Sequence, residues 1–170
     1  IGMREHVTYD PKAGKNFLHP GRQANMFYGD RLIGFSGEVH PAVCDNYNLG
    51  TRAYVAVLDM PNVLPFATFD RKYEGIAKYP AVTRDISMVV SKDVLAGQIE
   101  AVIAQRGGKI LESYKLFDIY EGDQIKDGYK SMAYSISFRA KDRTLEEADV
   151  SGAMKKILNG LEQLGAQLRQ

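Results

Sequence analysis

From Arg84 onward the apolar residues switch between two spacings, and the order of the two narrows the fold more than any single motif does. "RDISMVV" places Ile86, Met88 and Val90 on one side of a strand. "DVLAGQIEAVIAQRGG" then sets Leu95, Ile99, Val102 and Ile103 along one helical stripe that stops at paired glycines. "KILESYKLFDIY" and "YKSMAYSISFRA" are two further strands joined by a polar loop. Thr144 and Glu147 have the spacing of a capping box, and Val150, Met154, Ile157, Leu158 and Leu161 stripe the helix behind them. Gly165 ends that helix, and "AQLRQ" supplies a last short strand beside the first. The order β-α-β-β-α-β is the split-βαβ, ferredoxin-like arrangement, an α+β fold with two helices on one face of a four-stranded antiparallel sheet. The other face is predicted to be open, and an open face is where such a module meets a partner.

The half that precedes it follows a different pattern. "MFYGDRLIGFSGEVHP" reads as two strands around the Gly29-Asp30 turn, with Ile33, Phe35 and Val39 on alternating positions. "HPAVCDNYNLG" predicts a brief helix that starts at Pro41 and ends by Gly50, and "RAYVAVLDM" a strand. Three strands and a short helix form a small mixed β/α unit whose sheet is expected to continue in residues outside this chain. The pattern weakens around "TFDRKYEGIAKYPAV", where Pro80 holds Tyr79 extended, and the boundary falls there. The opening Ile1, with methionine only at position 3, is the start expected of a piece of a longer polypeptide.

Composition excludes several classes. A net charge of +1 over 170 residues is not that of a general polycation, so any nucleic-acid contact has to come from a local surface. The single cysteine, Cys44, excludes an intrachain disulfide and a thiolate metal cluster, and fits a reducing, cytoplasmic setting. No apolar run approaches membrane-spanning length, and the start lacks the pattern of a signal or transit peptide. His6, His19 and His40 have no partners at metal-ligand spacing; His19 and His40 each precede a proline, where turn or capping duty is expected. The glycines of "GDRLIGFSG" fall at hairpin positions, and Ser36 of "GFSGE" has no strand-to-helix turn after it. No self-contained active site and no metal site is visible.

Alternation also says what stands on the open face. With Met132, Tyr134, Ile136 and Phe138 turned to the helices, the third strand shows Ser131, Ala133, Ser135, Ser137 and Arg139. With Phe117 and Ile119 inward, the second strand shows Asp118 and Tyr120; the first adds Ser87 and Val89. A low floor with one aromatic ring and one carboxylate has room for unpaired bases, which stack on tyrosine and bond carboxylate and hydroxyl groups. A face covered by a neighbouring domain would also carry small residues, and the residues alone leave both readings open.

The motifs "YPAVTRDISMVV", "LFDIYEG", "GYKSMAYSISFR" and "RTLEE" closely resemble one family, the carboxyl end of the bacterial phenylalanyl-tRNA synthetase β subunit. "LHPGRQA", "IGFSGEVHP" and "RAYVAVLDM" resemble the end of that subunit's catalytic-like module, which has a class II synthetase-like sheet and no working active site. The resemblance implies residues 1–76 as the tail of that non-catalytic module and residues 77–170 as a ferredoxin-fold anticodon-binding domain. It implies anticodon recognition at Asp118, Tyr120 and Ser131, with Arg84, Lys130, Arg139 and Arg143 as weaker candidates for phosphate contacts. It further implies tRNA(Phe) as ligand, and an α subunit that charges it in a heterotetramer of two α and two β chains. The full enzyme would need ATP and magnesium, none of it bound by this fragment, which alone is expected to be inactive. The alternative is a ferredoxin-like regulatory or protein-interaction module without RNA binding. Phosphate neutralisation would separate the two by a steep dependence of binding on ionic strength.

Overall fold

The computed structural model describes residues 7–70, 73 and 75–169. The chain divides into two units, one up to residue 74 and one from residue 75.

In the first unit, β1 (Val7–Asp10), β2 (Leu18–Tyr28), β3 (Arg31–Val39) and β4 (Tyr54–Leu58) form one antiparallel sheet in chain order. Gly29, at φ 60°, makes the turn between β2 and β3 that the sequence predicts. β1 and the first half of β2 were not expected. His19-Pro20-Gly21 interrupts alternation inside β2, and the pairing is irregular between Leu18 and Gln23, where a proline is tolerated. Met26, Tyr28, Ile33 and Val63 form a small core, Val63 coming from α2 (Met60–Val63). Helix α1 (Pro41–Asn46) starts at the expected proline and ends four residues before Gly50. His40 Nδ1 accepts from the Ala42 N–H at 3.2 Å and His19 Nδ1 from Gly21 N–H at 3.1 Å, the capping and turn duties expected of them. His6 lies outside the described residues. Buried Glu38 takes two hydrogen bonds from the Arg22 guanidinium, at 2.8 and 2.9 Å. Burial raises its pKa, but Arg22 and Arg52 outweigh that and hold the carboxyl below its ordinary value.

The second unit holds β5 (Val82–Ser91), α3 (Ala96–Gly107), β6 (Leu111–Tyr120), β7 (Tyr129–Phe138), α4 (Glu147–Gln163) and β8 (Gln167–Leu168). The sheet order is β6-β7-β5-β8, antiparallel throughout, which is the ferredoxin-like order expected. Ile86, Met88 and Val90 of β5 and Met132, Tyr134, Ile136 and Phe138 of β7 meet Ile99 and Ile103 of α3. Val150, Ala153, Ile157 and Leu161 of α4 complete this core. The helices approach closely at Gly160, where a Cβ would lie 2.7 Å from a Val102 methyl. The Tyr134 hydroxyl has no well-formed hydrogen bond among the described residues; burial, followed by the charge of nearby Glu100, raises its pKa.

Two helix starts differ from the sequence reading. Leu95 does not join the stripe of α3; it is the N-cap, its N–H donating to Gln98 Oε1 at 2.9 Å. Helix α4 is capped at Glu146, not Thr144, because Asp149 accepts from the Glu146 N–H at 3.0 Å. Leu145 and Val150, both buried, occupy the two positions of a hydrophobic staple about that cap. Core packing thus fixes the start of α4.

Candidate nucleic-acid interface

The face of the second sheet turned from the helices is built as the alternation predicts for its two central strands. On β7 it shows Ser131, Ala133, Ser135 and Ser137; beside them β5 places Val89, Ser87, Asp85 and Thr83. These are small side chains or exposed ones, and the central floor is low.

The edge strand β6 reaches the same face by a different route. Tyr114 and Leu116, opposite Ile136 and Tyr134, pack against the core. Continued alternation would turn Asp118 and Tyr120 to the helices as well. The pairing instead slips by one residue: Leu116 faces Tyr134, but Asp118 faces Ala133, and Phe117 is the extra residue of a bulge. The expectation that Phe117 points inward is therefore corrected; it is 54% exposed, and Leu116 fills the core in its place. Ile119 lies opposite Met132 on the helix side, yet it is 52% exposed at the sheet edge. Beyond the slip Asp118 and Tyr120 stand on the open face, opposite Ala133 and Ser131.

The Asp118 carboxylate is exposed and makes no hydrogen bond or ion pair with the described residues, so it caps no loop amide among them. Tyr120 is partly exposed, its ring end lying over Gly122. Ser131 is buried between its cross-strand neighbours Tyr120 and Val89, its hydroxyl 3.5 Å from that of Ser87. It is floor beside the ring, not a projecting group. The loop after Tyr120 is tied on two sides. Glu121 pairs with Lys92 at 2.8 Å, and Gln124 accepts from Arg169 at 2.9 Å.

The four candidate cations do not gather there. Arg84 stands on the helix side, opposite Ile136, bonded to Glu147 of α4 at 2.6 Å. Lys130 also has helix-side parity, opposite Val90, and donates to the Lys92 carbonyl at 3.2 Å. Arg143 is held by both oxygens of Asp149, at 2.5 and 2.8 Å, ahead of α4. Arg139 alone has open-face parity, and Glu112 at 2.7 Å and the Tyr79 carbonyl at 2.6 Å engage it. Held this way, the bidentate Asp149 carboxyl drops to about 2, first through Arg143 and then through the Glu146 N–H.

Residues 77–169 match the family described as the ferredoxin-fold anticodon binding domain, and residues 1–60 match the phenylalanyl tRNA synthetase beta chain CLM domain. The chain belongs to the ferredoxin-fold anticodon-binding family. Among its relatives is the phenylalanine–tRNA ligase beta subunit of Clostridium acetobutylicum, 42% identical over 96% of this chain and 21% of that protein. That of Bacillus subtilis is 43% identical over 85% of this chain and 18% of its own length. That of Lactiplantibacillus plantarum is 35% identical over 99% of this chain and 21% of its own. The chain thus spans about a fifth of the length of the curated relatives it matches.

Two cations of the second unit's open face were not among the sequence candidates. Lys115, opposite Ser135, is exposed, and its ammonium makes no ion pair or hydrogen bond among the described residues. The alternation that found Ser135 could have found it. Arg169 follows β8, its N–H donating to the Ser87 carbonyl at 2.9 Å, which sets its side chain on the Ser87 face. Its partner Gln124 is neutral, and Arg169 makes no ion pair among the described residues. No periodic signal in a strand as short as β8 could have placed it.

Proposed function

We propose that this chain recognises the anticodon loop of a phenylalanine-accepting tRNA on the open face of its second unit, as part of a phenylalanine–tRNA ligase β subunit. One observation carries the reading: Asp118 is exposed on a low floor, its carboxylate without a partner among the described residues, two residues from a partly exposed tyrosine on the same face. An unpartnered carboxylate suits a base that offers adjacent N–H donors, as guanine does on its Watson–Crick edge, and the tyrosine ring suits stacking. Ser131 keeps the floor low at the ring. Arg84, Lys130 and Arg143 serve the fold more than the ligand, whereas Lys115 and Arg169 are the better-placed phosphate contacts. The chemistry of charging, with ATP and magnesium, belongs in this proposal to an α subunit in a heterotetramer of two α and two β chains, working in the cytoplasm.

Asp118→Asn tests it. Replacing one acceptor by a donor should relax discrimination at a guanine of the anticodon more than it lowers affinity for the remaining sequences. Binding of wild-type and anticodon-substituted stem-loops at fixed salt measures this. Equal losses for every anticodon would remove Asp118 from base selection.

A further inference from the structure

The Tyr120 ring does not stand off the sheet. β6 ends at Tyr120, and Gly122, two residues on at a bend in the chain, lies within reach of the tyrosine side chain. At Gly122 that reach is used. A Cβ built on Gly122 would lie 2.5 Å from Tyr120 Cζ and 3.1 Å from Cε2, and closer still to the hydroxyl. Real side chains do not approach so closely, so the ring occupies the space a side chain at 122 would fill. Gly122 does not have a left-handed φ, unlike Gly128 at φ 83° in the same loop. Its φ therefore does not call for glycine, and the ring is what a side chain at 122 would have to displace. The loop is tethered outside itself by Glu121, paired to Lys92, and by Gln124, bonded to Arg169, while the Ile125 N–H donates to the Gly122 carbonyl within its turn.

We propose that Gly122 is a positioning residue for Tyr120: its missing side chain lets the ring lie down along the strand and turn one face outward as a platform for a base. Any side chain at 122 lifts the ring by its hydroxyl end and removes the platform while the fold stays. The inference rests on the anticodon reading given above and identifies what sets the aromatic contact in it.

A double-mutant cycle on the whole chain tests it, with an anticodon stem-loop RNA as the probe and the thermal midpoint as the control for folding. Tyr120→Ala should weaken binding by about 5- to 150-fold, the range for loss of one base–aromatic stack. Gly122→Ala should weaken it about 5-fold or more with an unchanged midpoint. In the Tyr120→Ala background, Gly122→Ala should change nothing further, because no ring remains to displace. A loss on Tyr120→Ala with wild-type affinity for Gly122→Ala would overturn the positioning role alone, as would a Gly122→Ala loss that persists in full without the ring. Wild-type affinity for Tyr120→Ala would overturn both this role and the stacking it serves.

Discussion

Deleting Phe117 should leave the open face as it is, whereas deleting Ile119 should rearrange it. Phe117 is the extra residue of the bulge, so its removal joins Leu116, opposite Tyr134, directly to Asp118, opposite Ala133. Every later pair keeps its register and its side of the sheet. The side chain is 54% exposed, so about half of the 1.5–3 kcal/mol for burying a phenylalanine is lost, roughly 1 kcal/mol. A regular ladder in place of the bulge returns a hydrogen bond of about 0.5–1.5 kcal/mol. The two nearly cancel. A net change within about 1 kcal/mol moves the thermal midpoint by no more than about 8 °C in a unit of this size. Deleting Ile119 instead slides Tyr120 opposite Met132, on the helix side, and brings Glu121 opposite Ser131. The ring leaves the floor, a carboxylate replaces it, and Glu121 is drawn from Lys92. Stem-loop binding and thermal melting of both deletions decide the matter. If the Phe117 deletion lost RNA binding while the Ile119 deletion kept it, the bulge would not be what aims Asp118 and Tyr120.

Four further outcomes follow from particular contacts. The Asp149 carboxyl is held below its ordinary 3.8, at about 2, so it contributes stability that is complete above about pH 4 and is lost as pH falls toward 2. Asp149→Asn should melt lower at pH 6 and show a flatter decline between pH 4 and 2, as followed by circular dichroism. Gly160→Leu should destabilise the second unit by about 1–3 kcal/mol, because its first carbon already meets Val102 and Arg106; denaturant titration measures this. Tyr134→Phe removes a buried hydroxyl without a well-formed partner, and should be neutral or stabilising by about 1 kcal/mol in the same titration. With Lys115 and Arg169 as cations of the face without an ion pair among the described residues, the slope of log K against log salt should be about −1.4 from two phosphate contacts, shallower than the steep dependence expected from the sequence.

The second unit was legible because its core-facing residues repeat cleanly. Ile86, Met88 and Val90, and Met132 through Phe138, obey a period of two without interruption, and both strands lie at the centre of the sheet. The first unit was less so, since β2 carries a proline and a glycine within an irregular pairing, and β1 is four residues long. Charged candidates fared worst. A guanidinium reaches far enough to join a helix terminus, as Arg84 and Arg143 do, and which acidic group waits there depends on tertiary packing that strand parity does not encode.

Parity in β6 contains a local contradiction that carries information of its own. Tyr114 and Leu116 demand one face, and Asp118 and Tyr120, hydrophilic or only half apolar, are two residues further along the same face. A regular strand would put the carboxylate opposite Met132, on the apolar helix side at the half-exposed place Ile119 now holds, and would turn Tyr120 away from the open face. Moving the whole strand by one residue would expose Tyr114 and Leu116 instead. An inserted residue between the two pairs satisfies both, and Phe117 takes that place at the sheet edge, where bulges are tolerated. Alternation that turns Phe117 inward also puts Asp118 and Tyr120 on the open face, but the inward place belongs to Leu116. A strand whose apolar parity reverses between Leu116 and Asp118 is thus better explained by a bulge than by one continuous alternation, and the groups beyond the reversal, Asp118 and Tyr120, are set on the open face.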